Sequence, residues 1–164
     1  MRKQLFLDLQ AKILAIKNQD KEPLIKFFNL WHNQINFIEQ PFDTPAVFIE
    51  FEPFNYQTIP GSKDTLINLN FNLHLVCHYY PVTHSTAPSD IQFHNLNFLD
   101  AAELLHSSLH LSRLNNSGTI IHNSTSFDYS YGDYIQSIER YTCVIGHQAD
   151  PLNLPKKISM ISKQ

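Results

Sequence analysis

Nine histidines in a chain of 164 residues invite a search for metal chemistry first. His106 and His110 stand four apart, and on a helix their imidazoles would share one face, where two rings can meet one ion. Glu103 adds a Glu-x-x-His spacing like that of di-iron bundles. Such bundles need two of these motifs and further glutamates from other long helices, and the sequence offers neither. Spacing without a full ligand set reads as a solvated helix face. His74 and His78 are also four apart but fall on an alternating segment, so as strand residues they point the same way roughly 13 Å apart, too far to share one ion. Cys77 and Cys143 lie on apolar strand faces with no adjacent cation to lower a thiol pKa, which reads as core packing. Glu50 and Glu52 share one face of an alternating run, and with no second acidic pair nearby they read as its wet side. No Gly-x-Ser-x-Gly elbow occurs, and four glycines supply no phosphate-cradling loop. Lys156, Lys157 and Lys163 could touch phosphate but read as solvation. These residues nominate no catalytic, cofactor-binding or metal site.

The whole chain narrows the classes further. Its length fits one domain with its own core. Apolar residues at 43%, aromatics at 12% and charges at only 16% argue against disorder. A net charge of −3 gives no general attraction to a phosphate backbone, so direct nucleic-acid binding is not expected. The segment from Met1 to Lys17 does not read as a signal peptide, because Asp8 and Lys12 interrupt its apolar run. No stretch approaches the roughly 20 apolar residues of a membrane helix. Two cysteines make no disulfide framework, and the chain reads as soluble and made in a reducing compartment.

Hydrophobic periodicity supplies the elements. Leu5, Leu9, Ile13 and Ile16 recur at helical spacing with Lys3, Lys12 and Lys17 facing away, and Pro23 ends that region. Residues 24–38 fit either a helical stripe (Leu24, Phe28, Trp31, Ile35, Ile38) or a short aromatic strand entering a turn at His32-Asn33-Gln34. Val47, Ile49 and Phe51 alternate with Phe48, Glu50 and Glu52 along a strand, and residues 53–64 read as a connection.

The strongest signal follows. Ile67, Leu69, Phe71, Leu73, Leu75, Cys77 and Tyr79 alternate with Asn68, Asn70, Asn72, His74, Val76, His78 and Tyr80. A period of two held this long predicts one extended strand with its odd face buried and its even face largely exposed. It is well beyond the usual strand of about 5–6 residues, so an overhang is expected, met by a hairpin partner or by a neighbouring subunit.

Ser89 with Gln92 three residues later predicts a capping box opening a helix. Its buried stripe would be Ile91, Asn95, Phe98, Ala102, Leu105 and Leu109, ending before Asn115-Asn116-Ser117-Gly118. A hairpin closes the domain: Ile121, Asn123, Thr125, Phe127 and Tyr129 share a face of its first strand, Tyr131-Gly132-Asp133 turns, and Tyr141, Cys143 and Ile145 alternate along the second. The expected fold is α+β: a mainly antiparallel sheet of about five strands with one long central strand, flanked by two helices. Residues 1–147 form the domain, and 148–164, with two prolines, read as an extended arm.

The segment Asn29-Leu30-Trp31-His32-Asn33-Gln34, followed by Pro41-Phe42-Asp43-Thr44-Pro45-Ala46-Val47-Phe48-Ile49-Glu50-Phe51, resembles the opening of tail terminator (tail completion) proteins of long-tailed phages and prophages. These pair a Trp-x-x-Gln turn with a proline-led strand of this type, and the later long strand, helix and closing hairpin fit the same plan over about residues 1–147. The resemblance favours a strand over residues 25–32. It implies a structural virion protein without catalytic residues, assembled in the host cytoplasm. Such a protein closes the tail tube as a ring, commonly hexameric, and its partners are its own copies, the tail tube protein and a head–tail connector. Two other classes stand beside it: a small metal-binding domain or enzyme using His106 and His110, and a monomeric binding module using the exposed Asn and His face of the long strand.

Overall fold

The computed structural model describes residues 2–36, 42–58, 65–78, 82–114 and 118–147. Helix α1 (Arg2–Leu14) buries Leu5, Leu9 and Ile13, with Ile16 just beyond its end, as the spacing predicts. Strand β1 (Phe27–Leu30) lies within the expected 25–32. It is followed by a 3₁₀ turn (Gln34–Asn36), then β2 (Ala46–Phe51), β3 (Asn55–Thr58), β4 (Thr65–His78), α2 (Ser89–Leu109), β5 (Arg113–Leu114), β6 (Gly118–Tyr131) and β7 (Tyr134–His147). The arm from 148 onward, including Lys156, Lys157 and Lys163, lies outside the described residues, as do Tyr79 and Tyr80.

All the strands belong to one sheet ordered β1-β2-β4-β7-β6-β5, with β3 pairing β4 as well. The expectation of about five strands is therefore too low. β3 sits inside the stretch read as a connection, and β5 inside the stretch after α2; each is short and lacks an alternating pattern of its own. The sheet is mainly antiparallel, as expected, and its one parallel pair is β1 with β2. Parallel neighbours need a crossover of about a dozen residues or more, and residues 31–45 provide it.

Over its described residues the long strand does not overhang. β7 pairs with it from Thr65↔His147 to His78↔Tyr134, while β3 and β2 share its other side. The β6–β7 hairpin turns at Gly132-Asp133, where Gly132 takes φ +62°, a conformation that costs glycine little. Both helices lie on one face. There Ile67, Leu69, Phe71, Leu73, Leu75 and Cys77 are buried together with Val47, Ile49, Tyr141, Cys143 and Ile120.

The opposite face departs from the expected wetness. Asn68 and Asn70 are partly exposed and His78 is exposed, but Asn72, His74 and Val76 are buried. The cause is a second apolar cluster, in which Phe27, Trp31, Ile35, Phe42 and Tyr134 pack on Ala46, Phe48 and Val76. Trp31, Ile35 and Phe42, from the stretch between β1 and β2, lie over that end of the face and shut out water.

Helix α2 also differs in detail. The capping box does not form: the residue before the first turn is Pro88, with no side-chain cap. Gln92 instead donates from Nε2 to the carbonyls of Thr83 (3.1 Å) and His84 (3.3 Å), tying down the preceding loop. Asn95 does the same to Val82 (2.9 Å), which explains a buried amide on the stripe. Ile91 is exposed rather than buried. The helix stops at Leu109, and Leu111 (φ 58°) takes the left-handed conformation expected of the later Asn/Gly stretch.

Leu73 is fully buried and Asn70 is not. Leu73→Asp is expected to unfold the domain, since an unpaired buried charge costs several kcal/mol, and Val76→Asp on the opposite face should do the same. Asn70→Asp should melt near the parent. Thermal melts of the three variants check both the faces and the second cluster.

Candidate functional site

Two polar clusters interrupt the apolar layers, one on each side of the sheet. On the helix side, Glu139 of β7 is only 1% exposed. Its Oε2 accepts from His122 Nε2 at 2.8 Å and from Thr125 Oγ1, and its Oε1 accepts from Ser137 Oγ. His122 and Thr125 differ in parity, so a regular strand would put them on opposite faces. A register shift between His122 and Ser124 leaves Asn123 unpaired with β7 and brings both over Glu139. The same bulge overturns the expectation that Ile121, Asn123, Thr125, Phe127 and Tyr129 share one face. Ahead of it Ile120 and His122 face the helices, and after it Thr125 and Phe127 do, with Phe127 packed edge-on against Phe98 of α2 at 5.9 Å.

His106 and His110 are therefore not a solvated helix face. The Nδ1 of His110 accepts the backbone N–H of His122 (3.2 Å), and the His106 ring stands edge-to-face on His122 at 4.5 Å. The two helical rings are stacked, 5.2 Å apart and 15° from parallel. Burial lowers the His106 pKa, the neighbouring His122 and His110 lower it further, and Glu139 opposes them. Tyr141 packs between Phe71 and His122, where burial and then Glu139 drive its pKa upward. A groove of about 640 Å³ opens beside this cluster, lined by Leu99, Glu103, His106, Thr125 and Phe127 among others.

The chemistry open to this arrangement is narrow. A relay needs a carboxylate on one imidazole nitrogen and a nucleophile on the other. Here Glu139 and Thr125 (3.1 Å) both meet Nε2 of His122. His106 and His110 present ring faces, not lone pairs, to one another, and no group of three His, Cys, Asp or Glu among the described residues is placed to hold a metal ion. Cys77 and Cys143 are buried, their thiols pushed up to about 12 and about 11 by burial, so they stay protonated.

On the other face, Glu50 accepts from Asn72 Nδ2 (3.0 Å) and His74 Nε2 (3.2 Å). It is thus a tied carboxylate rather than a free wet one, and its pKa is lowered chiefly by the Asn72 hydrogen bond. Glu52 lies just past the end of β2, its backbone N–H bonded to Asn70 O at 3.1 Å. His74 meets the Gln136 amide through Nδ1. Burial lowers its pKa, and Glu50 opposes that shift only in part. The ring stacks flat on Trp31, 4.1 Å away and 4° from parallel. Gln34 locks the adjoining turn: Oε1 accepts His32 N–H (2.8 Å) and Nε2 donates to Leu30 O. Farther along the face, Thr142 donates to Asn70 (2.9 Å), Asn123 to Thr142 (2.8 Å) and Arg140 to Ser126 (3.0 Å), linking β4, β7 and β6.

No protein-family model and no curated protein matches the chain. A solved structure titled as the virion of a native gene transfer agent particle is similar to it, with a TM-score of 0.44 at 9% identity, covering 89% of this chain and 91% of that chain. Among the described residues no helix is long and apolar enough to cross a membrane.

Spacing found the His106/His110 pair and the polar residues of β4. It missed Glu139, His122, Trp31 and Gln34 as partners, because each acquires its contact through a bulge or a crossover. His110→Ala removes the acceptor for a half-buried backbone N–H and should cost about 1 kcal/mol in denaturant unfolding. His74 and His106 both titrate, when folded, below the ordinary 6.5. Between those lowered values and 6.5 the unfolded chain binds more protons, so stability is full above 6.5 and falls as pH drops through that window. The single tryptophan is the reporter for His74: Trp31 fluorescence should be quenched as the stacked ring protonates, with a midpoint below 6.5, and His74→Gln should abolish the step.

Proposed function

We propose that this chain is a structural protein of a phage- or prophage-type tail: a tail terminator that closes the end of the tail tube as a ring of identical subunits, hexameric as in the family it resembles. In this reading its partners are its own copies, the tail tube protein and a head–tail connector, and it carries out no catalysis. The observation that carries the reading is that the segment resembling that family is one physical unit. Trp31 and Gln34, the two ends of the Trp-x-x-Gln turn, fix how the crossover folds: Gln34 clasps the turn after β1, and Trp31 seats it on His74 of β4. Pro45 then leads into β2, which pairs β1 in parallel and β4 antiparallel. The order that follows, a long strand, a helix and a closing hairpin, supports the same plan. The alternative of a binding module on the polar face of the long strand loses surface, since half of that face is buried.

The test is to add the protein to polymerising tubes of the tail protein encoded beside it and to image their ends. Shorter tubes with ring-shaped density on one end are expected. Unchanged tube lengths and bare ends would refute the terminator role.

A further inference from the structure

β6 is bordered by β7 on one side. On the other, β5 takes only Gly118 and Thr119, and Ile120 exchanges backbone hydrogen bonds with Leu111 and Ser112. From Ile121 to Tyr131 no described strand lies on that side. Such an edge is a template for another chain, and proteins usually blunt it with lysine, proline or a bulge. Residues 121–131 contain no Lys, Arg or Pro, and Asp128 is their one charge. They do contain register shifts, between His122 and Ser124 and between Asp128 and Tyr131. The run between these shifts, Ser124–Asp128, is regular and open.

The opposite border of the sheet is β1, whose outer side also has no described partner strand, although Leu30 is already engaged within the chain, its N–H donating to Asn29 Oδ1 (2.8 Å) and its carbonyl accepting from Gln34 Nε2. Following the pairings across the sheet shows where the two borders stand. Phe28 lies opposite Val47, then Leu75, Ser137 and finally Phe127. By the same route Leu30 leads to Thr125, Asn29 to Ser126 and Phe27 to Asp128. The four residues of β1 thus sit level with the regular open run of β6, at the other end of the same sheet. The faces agree as well. Phe28 packs in the core cluster beneath the helices, and Phe127 touches Phe98 of α2. Their directions are opposite, because β1 is parallel to β2 and the β2–β4, β4–β7 and β7–β6 steps are each antiparallel.

We infer that β1 of one copy of this chain adds, antiparallel, to Ser124–Asp128 of the next, continuing the sheet from subunit to subunit. Level, face and direction match along Phe27, Phe28 and Asn29, pairing at Leu30 has to displace its hydrogen bonds to Asn29 Oδ1 and Gln34 Nε2, and neither border opposes the other with like charge. Phe28 of one copy then meets Phe127 of its neighbour, an aromatic cross-strand pair, and Asn29 meets Ser126 on the polar face. The contact is heterologous, using different surfaces on the two copies, so repetition either closes a ring or extends a filament. Closure rests on the ring reading above; the pairing itself rests on two borders that no described strand covers.

The experiment replaces Asn29 and Ser126 by cysteine in one chain and oxidises the concentrated protein, or bridges it with a short bis-maleimide. The native thiols are buried and protonated, and stay silent. A ladder of covalent multimers is expected on a non-reducing gel. Asn29→Cys or Ser126→Cys alone, and Asn29→Cys with Asp133→Cys in the hairpin turn, should give dimers at most. Asn29→Lys with Ser126→Lys should reduce assembly to monomer in sedimentation, and Asn29→Lys with Ser126→Asp should restore it. No ladder, or an equal ladder from the Asp133 control, overturns the inference. So does loss of tube capping by Ser126→Lys without any self-ladder, which would give the edge to a different chain. A ladder from a protein that leaves tube ends bare keeps the pairing and removes the terminator role; capping by a protein with no ladder does the reverse.

Discussion

β4 and β7 run side by side over their whole length, and the register of that ladder decides nearly everything built upon it. Side chains alternate along a strand, so a slip of one residue would turn every apolar position of β4 away from the helices. In the observed register Phe71 lies beside Tyr141 with rings 5.5 Å apart, and Leu69 lies beside Cys143. Together they make one continuous apolar floor. α1 and α2 cover it with Leu5, Leu9, Ile13, Leu105 and Leu109, all buried. β2 and β3 then divide the remaining side of β4 between them, and β6 adds to the far side of β7.

That floor contains a carboxylate. Glu139 is opposite Leu73 and almost fully buried, where an unpartnered charge would cost several kcal/mol. Ser137 is its neighbour on β7, whereas His122 and Thr125 reach it together only when β6 carries its bulge at Asn123. The need to satisfy one buried carboxylate and the irregularity of one edge strand are thus the same structural fact. The consequence reaches the border of the sheet, since the bulge also sets where the regular run of β6 begins and turns Phe127 toward α2.

The crossover from β1 to β2 plays the matching part on the other face. Trp31 and Gln34 hold it down, and it closes the end of the β4 polar face around His74 and Val76. Asn72 and Gln136 are buried there as hydrogen-bond partners, and Glu50 joins them from a half-exposed position at the rim. The rest of that face remains a lattice of Asn, Thr, Ser and Arg side chains bonded to one another.

What the amino-acid sequence by itself determined is what periodicity encodes. The odd face of β4, the buried side of α1, the hairpin and the packing of both cysteines were legible, because each depends on a local repeat set by strand or helix geometry. What only tertiary structure decided are the features made by two distant segments meeting. β3 and β5 borrow their strand character from neighbours. The wet reading of Asn72, His74 and Val76 failed because a segment some forty residues earlier in the chain lies over them. The His106/His110 pair became part of a larger cluster because the pairing of β6 with β7, which no residue spacing announces, set His122 opposite Tyr141 on the face under α2. Alternation records that a strand has two faces; which face water reaches depends on what else folds against it.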